Sequence, residues 1–216
     1  MSNLHVDSVV KNYGSRSVLS DIFVSCDTGE VVGLVGRNGS GKSTLMKIIA
    51  GTLNAENSFV GIDGCRLANL REKYRRIKYL PQTAFLPGHL KIRTAVDLLC
   101  GQHGYLVADD SAIKPFLSKR SRELSGGERR FVEVMLLVYS DAEFVLLDEP
   151  FNGVSPLRIS EIRKHILSQA ATKGFIITDH NYRSLLETAT RTVLLFGGAT
   201  RMIDGYDDLR MLGYIP

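Results

Sequence analysis

The 216-residue sequence predicts an α/β fold, in which helices cover both faces of a largely parallel sheet and a helical segment is inserted. Three observations carry that prediction. In the last third of the chain, apolar strand-like runs alternate with helical stretches. The apolar run Val31-Val32-Gly33-Leu34-Val35 passes directly into a glycine-rich turn and then a helical pattern. Between Thr94 and Tyr139 the strand texture gives way to a helical one.

Alternation predicts strands at Leu4–Val10 and Val18–Cys26, closed by turns at Gly14 and Asp27-Thr28-Gly29. A buried strand Glu30–Val35 follows, then the glycine-rich turn and a helix over Leu45–Ala50. Gly51–Asn57 reads as loop, Ser58–Ile62 as strand, Asp63-Gly64 as a turn, and Ile77–Leu80 as a short strand. The densest basic run, Arg71 to Lys78, is interleaved with Tyr74 and Ile77 and reads as a half-exposed strand or turn. Helical patterns then fall at Ala95–Leu99, Asp109–Leu117 and Glu128–Tyr139, punctuated by Pro87-Gly88 and by Gly101-Gln102-His103-Gly104. The end alternates: strand Phe144–Leu147, helix Leu157–Ala171, strand Phe175–Thr178, helix Arg183–Ala189, and strand Thr192–Phe196. A short strand Thr200–Ile203 and a helix Tyr206–Leu212 close it.

Composition bounds the function without choosing it. With 44% apolar residues the chain can bury one good core, and a net charge of +4 permits nucleic-acid or membrane contact without requiring it. Cys26, Cys65 and Cys100 show neither metal-ligand spacing nor an even framework, so a reducing compartment fits. Met1–His5 carries no signal-peptide pattern and no apolar run reaches the ~20 residues of a membrane helix, so a membrane role is expected to come through a separate partner.

The stretch Gly36-Arg37-Asn38-Gly39-Ser40-Gly41-Lys42-Ser43-Thr44 reads as a phosphate-binding loop. Its glycines let main-chain N–H groups turn inward around an anion, Lys42 adds a point charge, and Ser43 offers a hydroxyl to Mg²⁺. The following helix adds its positive dipole end. Phe144–Leu147 is an apolar strand that ends in Asp148-Glu149. Beside a phosphate loop, Asp148 is suited to hold Mg²⁺ through its water shell and Glu149 to polarise the attacking water. His180 follows strand Phe175–Thr178 at the carboxyl edge, where open α/β sheets bind ligands, and Gln82 reaches the same edge through Pro81. In Leu124-Ser125-Gly126-Gly127-Glu128, Ser125, Gly126 and Gly127 open a helix. They read either as a second anion site or as a serine N-cap with turn glycines. A second anion site in one chain makes sense if two chains meet head to tail.

These motifs occur in the order Gly36–Thr44, Gln82, Leu124–Glu128, Asp148-Glu149 and His180. In that order they resemble the ATP-binding cassette family, specifically the nucleotide-binding subunit of a transporter, over essentially the whole chain. Glu149–Val154 and Ile177–Asn181 are similar to the ATPases of lipopolysaccharide export and of branched-chain amino-acid import. The resemblance implies a RecA-like P-loop NTPase core with an N-terminal antiparallel β subdomain, spanning residues 1–82 and 140–216, and an inserted α-helical subdomain over 83–139.

It also implies a Mg²⁺-dependent ATPase. ATP would be held by Gly36, Asn38, Gly39, Ser40, Gly41, Lys42, Ser43 and Thr44, with Tyr13 stacked on adenine, although Tyr13 taken alone also reads as an ordinary strand aromatic. Ser43, Gln82 and Asp148 would manage the metal, and Glu149, His180 and Lys42 would carry the chemistry. A homo- or heterodimer would place Ser125, Gly126 and Gly127 of one copy against the γ-phosphate on Lys42 of the other. The implied partner is an integral-membrane transporter subunit, with the chain peripheral on the cytoplasmic face and no direct nucleic-acid contact. The alternative is a soluble cassette protein acting on nucleic acid or ribosomes, but such proteins carry two cassettes or a long coiled-coil insertion, neither of which is present. One departure stands out: Ser155 occupies a position where the family usually has aspartate, in a loop that couples the two sites, which predicts slower or less cooperative hydrolysis.

Overall fold

The computed structural model describes residues 1–204 and 206–214. In chain order its first half contains β1 (Asn3–Tyr13), β2 (Arg16–Leu19), β3 (Phe23–Asp27), β4 (Val31–Val35), α1 (Lys42–Ala50), β5 (Asn57–Ile62), β6 (Cys65–Arg66), α2 (Leu70–Arg76) and β7 (Ile77–Leu80). The longer helices of the middle are α3 (Ile92–Leu99), α4 (Gly104–Asp109) and α5 (Gly126–Val138). There follow β8 (Phe144–Asp148), α6 (Pro156–Ala170), β9 (Gly174–Thr178), α7 (Tyr182–Leu186), β10 (Arg191–Phe196), β11 (Ala199–Ile203) and α8 (Tyr206–Met211).

A six-stranded sheet runs in the order β11-β10-β4-β9-β8-β7, parallel throughout except for the antiparallel edge strand β11. The strands β4, β8 and β9 are buried at every position, as strands covered on both faces must be. Because side chains alternate across a strand, Val145 and Leu147 join Phe131, Met135 and Ile162 from α5 and α6, while Leu146 joins Ile48 and Ile49 of α1 on the other face. The second sheet is antiparallel, in the order β2-β1-β5-β6 with β3 also on β1, and packs its Leu4, Val6 and Val24 into the α1 side. The parallel register brings the carboxyl ends of β4, β7, β8 and β9 to one edge, where the glycine loop, Gln82, Glu149 and His180 emerge.

Several elements differ from expectation. The single strand expected over Val18–Cys26 is two, because Ser20 and Asp21 donate their N–H groups to Gly198 O and so leave the sheet. The basic run from Arg71 is helix α2, started by the Asn69 side chain accepting from Glu72 N, and only Ile77 onward is strand. The helix expected over Asp109–Leu117 is a turn capped by Asp110 Oδ1 on Ala112 N, followed by a short 3₁₀ turn at Lys114–Phe116. Gly101–His103 is a 3₁₀ turn that runs straight into α4, so it continues helical structure where a break was expected. Helix α1 begins at Lys42, within the glycine-rich loop, three residues earlier than the apolar pattern indicated.

Candidate active site

The loop between β4 and α1 wraps a lysine. Lys42 Nζ donates to Gly36 O at 2.6 Å and Arg37 O at 3.2 Å, so in this structure the loop's own carbonyls satisfy the ammonium. Burial pushes the Lys42 ammonium below its ordinary value, opposed by the carboxylates of Asp148 and Glu149. The loop is also sterically committed to glycine: a Cβ on Gly36 would stand 2.6 Å from Leu195 O and 2.7 Å from Ser40 Oγ. Tyr182 of α7 adds its hydroxyl to Gly36 O at 3.4 Å.

A cleft of about 470 Å³ opens in front of this loop, lined by Tyr13, Arg16, Val18, Asn38, Gly39, Gly41, Lys42, Ser43, Thr44, Gln82, Glu149 and His180. Of the residues predicted from the sequence, Tyr13, Asn38, Gly39, Gly41, Lys42, Ser43 and Thr44 share this cavity with Gln82, Glu149 and His180, whereas Asp148 is buried outside its lining. Gly36 and Ser40 lie behind it, in the loop itself. Tyr13 stands half out in solvent at its mouth, with Lys11 Nζ 5.4 Å from the ring centroid. Arg16 was not anticipated; it pairs with Tyr13 across the β1–β2 turn and reaches Gly39 O at 3.4 Å. The Gly14 turn signal was the one clue that put Arg16 opposite Tyr13.

On the far wall, one oxygen gathers two donors. Glu149 Oε1 is 2.8 Å from Gln82 Nε2 and 2.8 Å from His180 Nε2. Gln82 Nε2 also reaches Ser43 Oγ at 3.0 Å, linking the Glu149 carboxylate to the glycine-rich loop through one amide. Glu149 Oε2 receives Asn152 Nδ2 at 3.2 Å. The Glu149 backbone is left-handed at φ 57, a strained state for a residue with a side chain. Asp148 is buried one residue earlier, with Oδ2 accepting from Tyr79 OH at 3.1 Å and Oδ1 from Thr178 Oγ1 at 2.8 Å. Asp179 is held from both sides by Phe151 N at 2.9 Å and Asn181 N at 2.8 Å, and burial raises its carboxyl above the usual range.

Two features test whether the cavity fits a polyphosphate and a divalent ion. Ser40 Oγ is buried in the loop with no hydrogen-bond partner among the described residues, so a donor or acceptor there is left for a ligand. Of the residues expected to hold the metal, Ser43 and Gln82 line the cavity and carry hard oxygen donors, the chemistry Mg²⁺ requires, while Asp148 is buried behind them with its oxygens bonded to Tyr79 and Thr178. These donors fit.

Gly126 and Gly127 line a different cleft, of about 410 Å³, together with Gln82, Arg130, Glu133, Asn152 and Gly153, and Ser125 precedes them in the chain without lining it. Ser125 is the N-cap of α5: its hydroxyl accepts from Glu128 N at 3.3 Å and its N–H donates to Glu128 Oε2 at 2.8 Å. Ser125 and Gly126 remain exposed. A Cβ on Gly127 would collide with the carbonyl oxygen of Gly153, so this turn seats directly on the loop that follows Glu149. Within one chain these three residues do not reach the Lys42 cavity.

The ABC transporter family model matches residues 19–152. The lipopolysaccharide export system ATP-binding protein LptB of Haemophilus influenzae is 33% identical over 214 residues, covering 92% of this chain and 88% of the relative. Its counterpart from Escherichia coli K12 is 32% identical over 213 residues, with 92% and 88% covered. A solved ATP-binding subunit of an ABC transporter superposes with TM-score 0.83 at 26% identity, over 98% of this chain and 93% of that one. A nucleotide-free ATP-binding cassette gives TM-score 0.83 at 22% identity, a likeness of fold.

Proposed function

The chain belongs to the ABC transporter family, and from that membership we propose which of its residues do the work of an ATP-hydrolysing subunit. It is an ATP-binding ATPase subunit of a transporter. Lys42 and the amides of Gly36–Thr44 hold the phosphates, and Tyr13 stacks on the base. Ser43, Gln82 and Asp148 would hold Mg²⁺, which when bound supplies charge neutralisation at the phosphate oxygens. Glu149 accepts a proton from the attacking water, and His180 donates toward the terminal phosphate. Ser125, Gly126 and Gly127 face the nucleotide of a second copy, since their exposed helix N-terminus suits an anion that their own chain does not present.

The supporting observation is the double contact at Glu149 Oε1, 2.8 Å from both His180 and Gln82, with Gln82 continuing to Ser43 beside Lys42. Those contacts, around one cavity, support the reading of Glu149 as base, His180 as donor and Ser43 with Gln82 as hard-ion ligands. Glu149→Gln keeps the size and the acceptor oxygen but removes basicity. Phosphate release should fall by about 10²–10⁴-fold while calorimetric ATP affinity persists. Turnover at the wild-type rate in that variant would refute the assignment.

Among the described residues no helix is long and apolar enough to cross a membrane. The similarity to ATP-binding subunits of transporters supports a separate integral-membrane subunit as partner, with the chain seated on its cytoplasmic side as one of two cassettes. The similarity to the lipopolysaccharide-export ATPases supports an exporter as that partner. Co-purification with a polytopic membrane protein from detergent extracts tests this; co-purification with RNA in its place would overturn it.

A further inference from the structure

Arg130 is buried in the first turns of α5, yet among the described residues it forms no ion pair within 4 Å. Its guanidinium is satisfied instead by carbonyls. Nη1 donates to Pro81 O at 2.6 Å, Nε and Nη2 donate to Glu149 O at 3.2 and 3.0 Å, and Nη2 also donates to Asp148 O. Pro81 O and Glu149 O stand just past the last paired residues of two adjacent parallel strands, Leu80 against Leu147 and Asp148 against Thr178. Beyond those pairs the sheet offers Pro81 O and Glu149 O no further ladder; Glu149 O also accepts from Asn152 N at 3.2 Å, and a buried carbonyl that loses a donor is costly. The flat, five-donor fork of an arginine spans both strand ends at once, which the compact ammonium of a lysine matches less well.

What hangs on those two strand ends is the catalytic pair. Pro81 precedes Gln82, and Glu149 holds its left-handed backbone between Thr178 O, which its N–H reaches at 2.9 Å, and Arg130, which holds its carbonyl. Left-handed backbone persists at a non-glycine residue only where the surroundings over-determine it. Rotation of that peptide would swing the Glu149 side chain away from His180 and Gln82.

We propose that Arg130 is a positioning residue for hydrolysis: it fixes the peptide of Glu149 and the strand end carrying Gln82, and so aims the carboxylate. The proposal rests on the reading of Glu149 as the base. Arg130 reaches Glu149 and Pro81 only through their main-chain carbonyls and does not line the Lys42 cavity, although it lines the Gly126–Gly127 cleft, so its effect falls on turnover and spares the affinity of the Lys42 cavity for nucleotide.

The experiment measures ATPase kinetics and ATP binding for Arg130→Met and Arg130→Lys in the full chain. Misplacing a reacting group by about 1 Å costs roughly 10²-fold, so kcat of Arg130→Met should fall by about that factor with KM little changed. Arg130→Lys, which restores a buried cation with donors, should recover part of the loss. Calorimetry in the Glu149→Gln background, where hydrolysis is suppressed, should give the same ATP affinity with and without Arg130→Met. A kcat within twofold of wild type in Arg130→Met overturns the proposal, as does a matching loss of ATP affinity in the Glu149→Gln background, which marks Arg130 as a general support of the fold. If Arg130→Lys fails to recover any turnover while remaining folded, the proposal is likewise overturned. Failure of the base assignment shows separately, as retained turnover in Glu149→Gln alone.

Discussion

His180 Nε2 lies 2.8 Å from Glu149 Oε1, joining the second residue after β9 to the first residue after β8 across neighbouring parallel strands. His180 remains about half exposed while Glu149 is nearly enclosed, so the histidine is the member free to turn toward a ligand in the cavity. Its removal should leave Gln82 as the remaining donor to Glu149 Oε1 and lower kcat. His180→Ala is expected to cost about 10²-fold in kcat, the lower end of what a positioned proton-transfer group contributes, with a smaller change in KM. His180→Gln, which keeps a donor, should lose less. Steady-state phosphate release for the two variants decides this, and equal losses in both would remove the hydrogen bond from the account.

Lys173 predicts a pH dependence of stability. Its ammonium is buried and donates to Val138 O at 2.8 Å and to Ser140 O, closing the carboxyl end of α5. Burial lowers it from 10.5 to about 8. The folded chain therefore gives up this proton before the unfolded chain does. Between about pH 8 and 10.5 the unfolded state binds more protons, so this group makes stability rise with pH through that window and is a cost below it, up to about 3 kcal/mol. Cys26 and Cys100 act in the opposite sense, because burial raises both thiols to about 12 and their contribution, full below pH 9, is lost above it. The comparison must then be between wild type and Lys173→Met, not along the wild-type curve alone. Urea midpoints for the two should converge toward high pH if they differ in this way; parallel curves would show that Lys173 does not titrate in the window.

The parallel core was legible because its strands obey a simple constraint. Phe144–Asp148 and Gly174–Thr178 are covered on both faces, so they appear as unbroken apolar runs. Gly36–Thr44, Asp148-Glu149 and His180 were legible because loop chemistry at a strand end needs few residue types, and the structure brings Lys42, Ser43, Gln82, Glu149 and His180 to one cavity. The misses have physical causes of two kinds. Short helices with little burial give no periodicity: α2 buries none of its residues, and its only signal was Asn69 ahead of Glu72. Long-range backbone pairings give no local signal at all, as where Gly198 O draws Ser20 and Asp21 out of the strand. Arg130 and Tyr79 were invisible for the second reason, since each reaches backbone or carboxylate dozens of residues away.

Ser155 begins α6 as its N-cap, yet its side chain makes no capping hydrogen bond, and Pro156 occupies the first helical position. The orphan N–H groups of that first turn therefore lack a side-chain acceptor from Ser155, in the loop that leads away from Glu149 past Phe151 and Gly153. Aspartate at this position supplies a longer acceptor and a negative charge at the positive end of the helix dipole, worth about 0.5 kcal/mol. It also adds a charge beside Gly153, whose carbonyl oxygen seats Gly127 of the α5 turn. Ser155→Asp is expected to raise the thermal midpoint by a degree or more and to increase either the ATPase rate or its Hill coefficient, because the loop between Glu149 and the α5 turn becomes better fixed. The two readouts separate the effects: a higher midpoint with unchanged rate and unchanged Hill coefficient would confine Ser155 to helix capping and remove it from any coupling between sites.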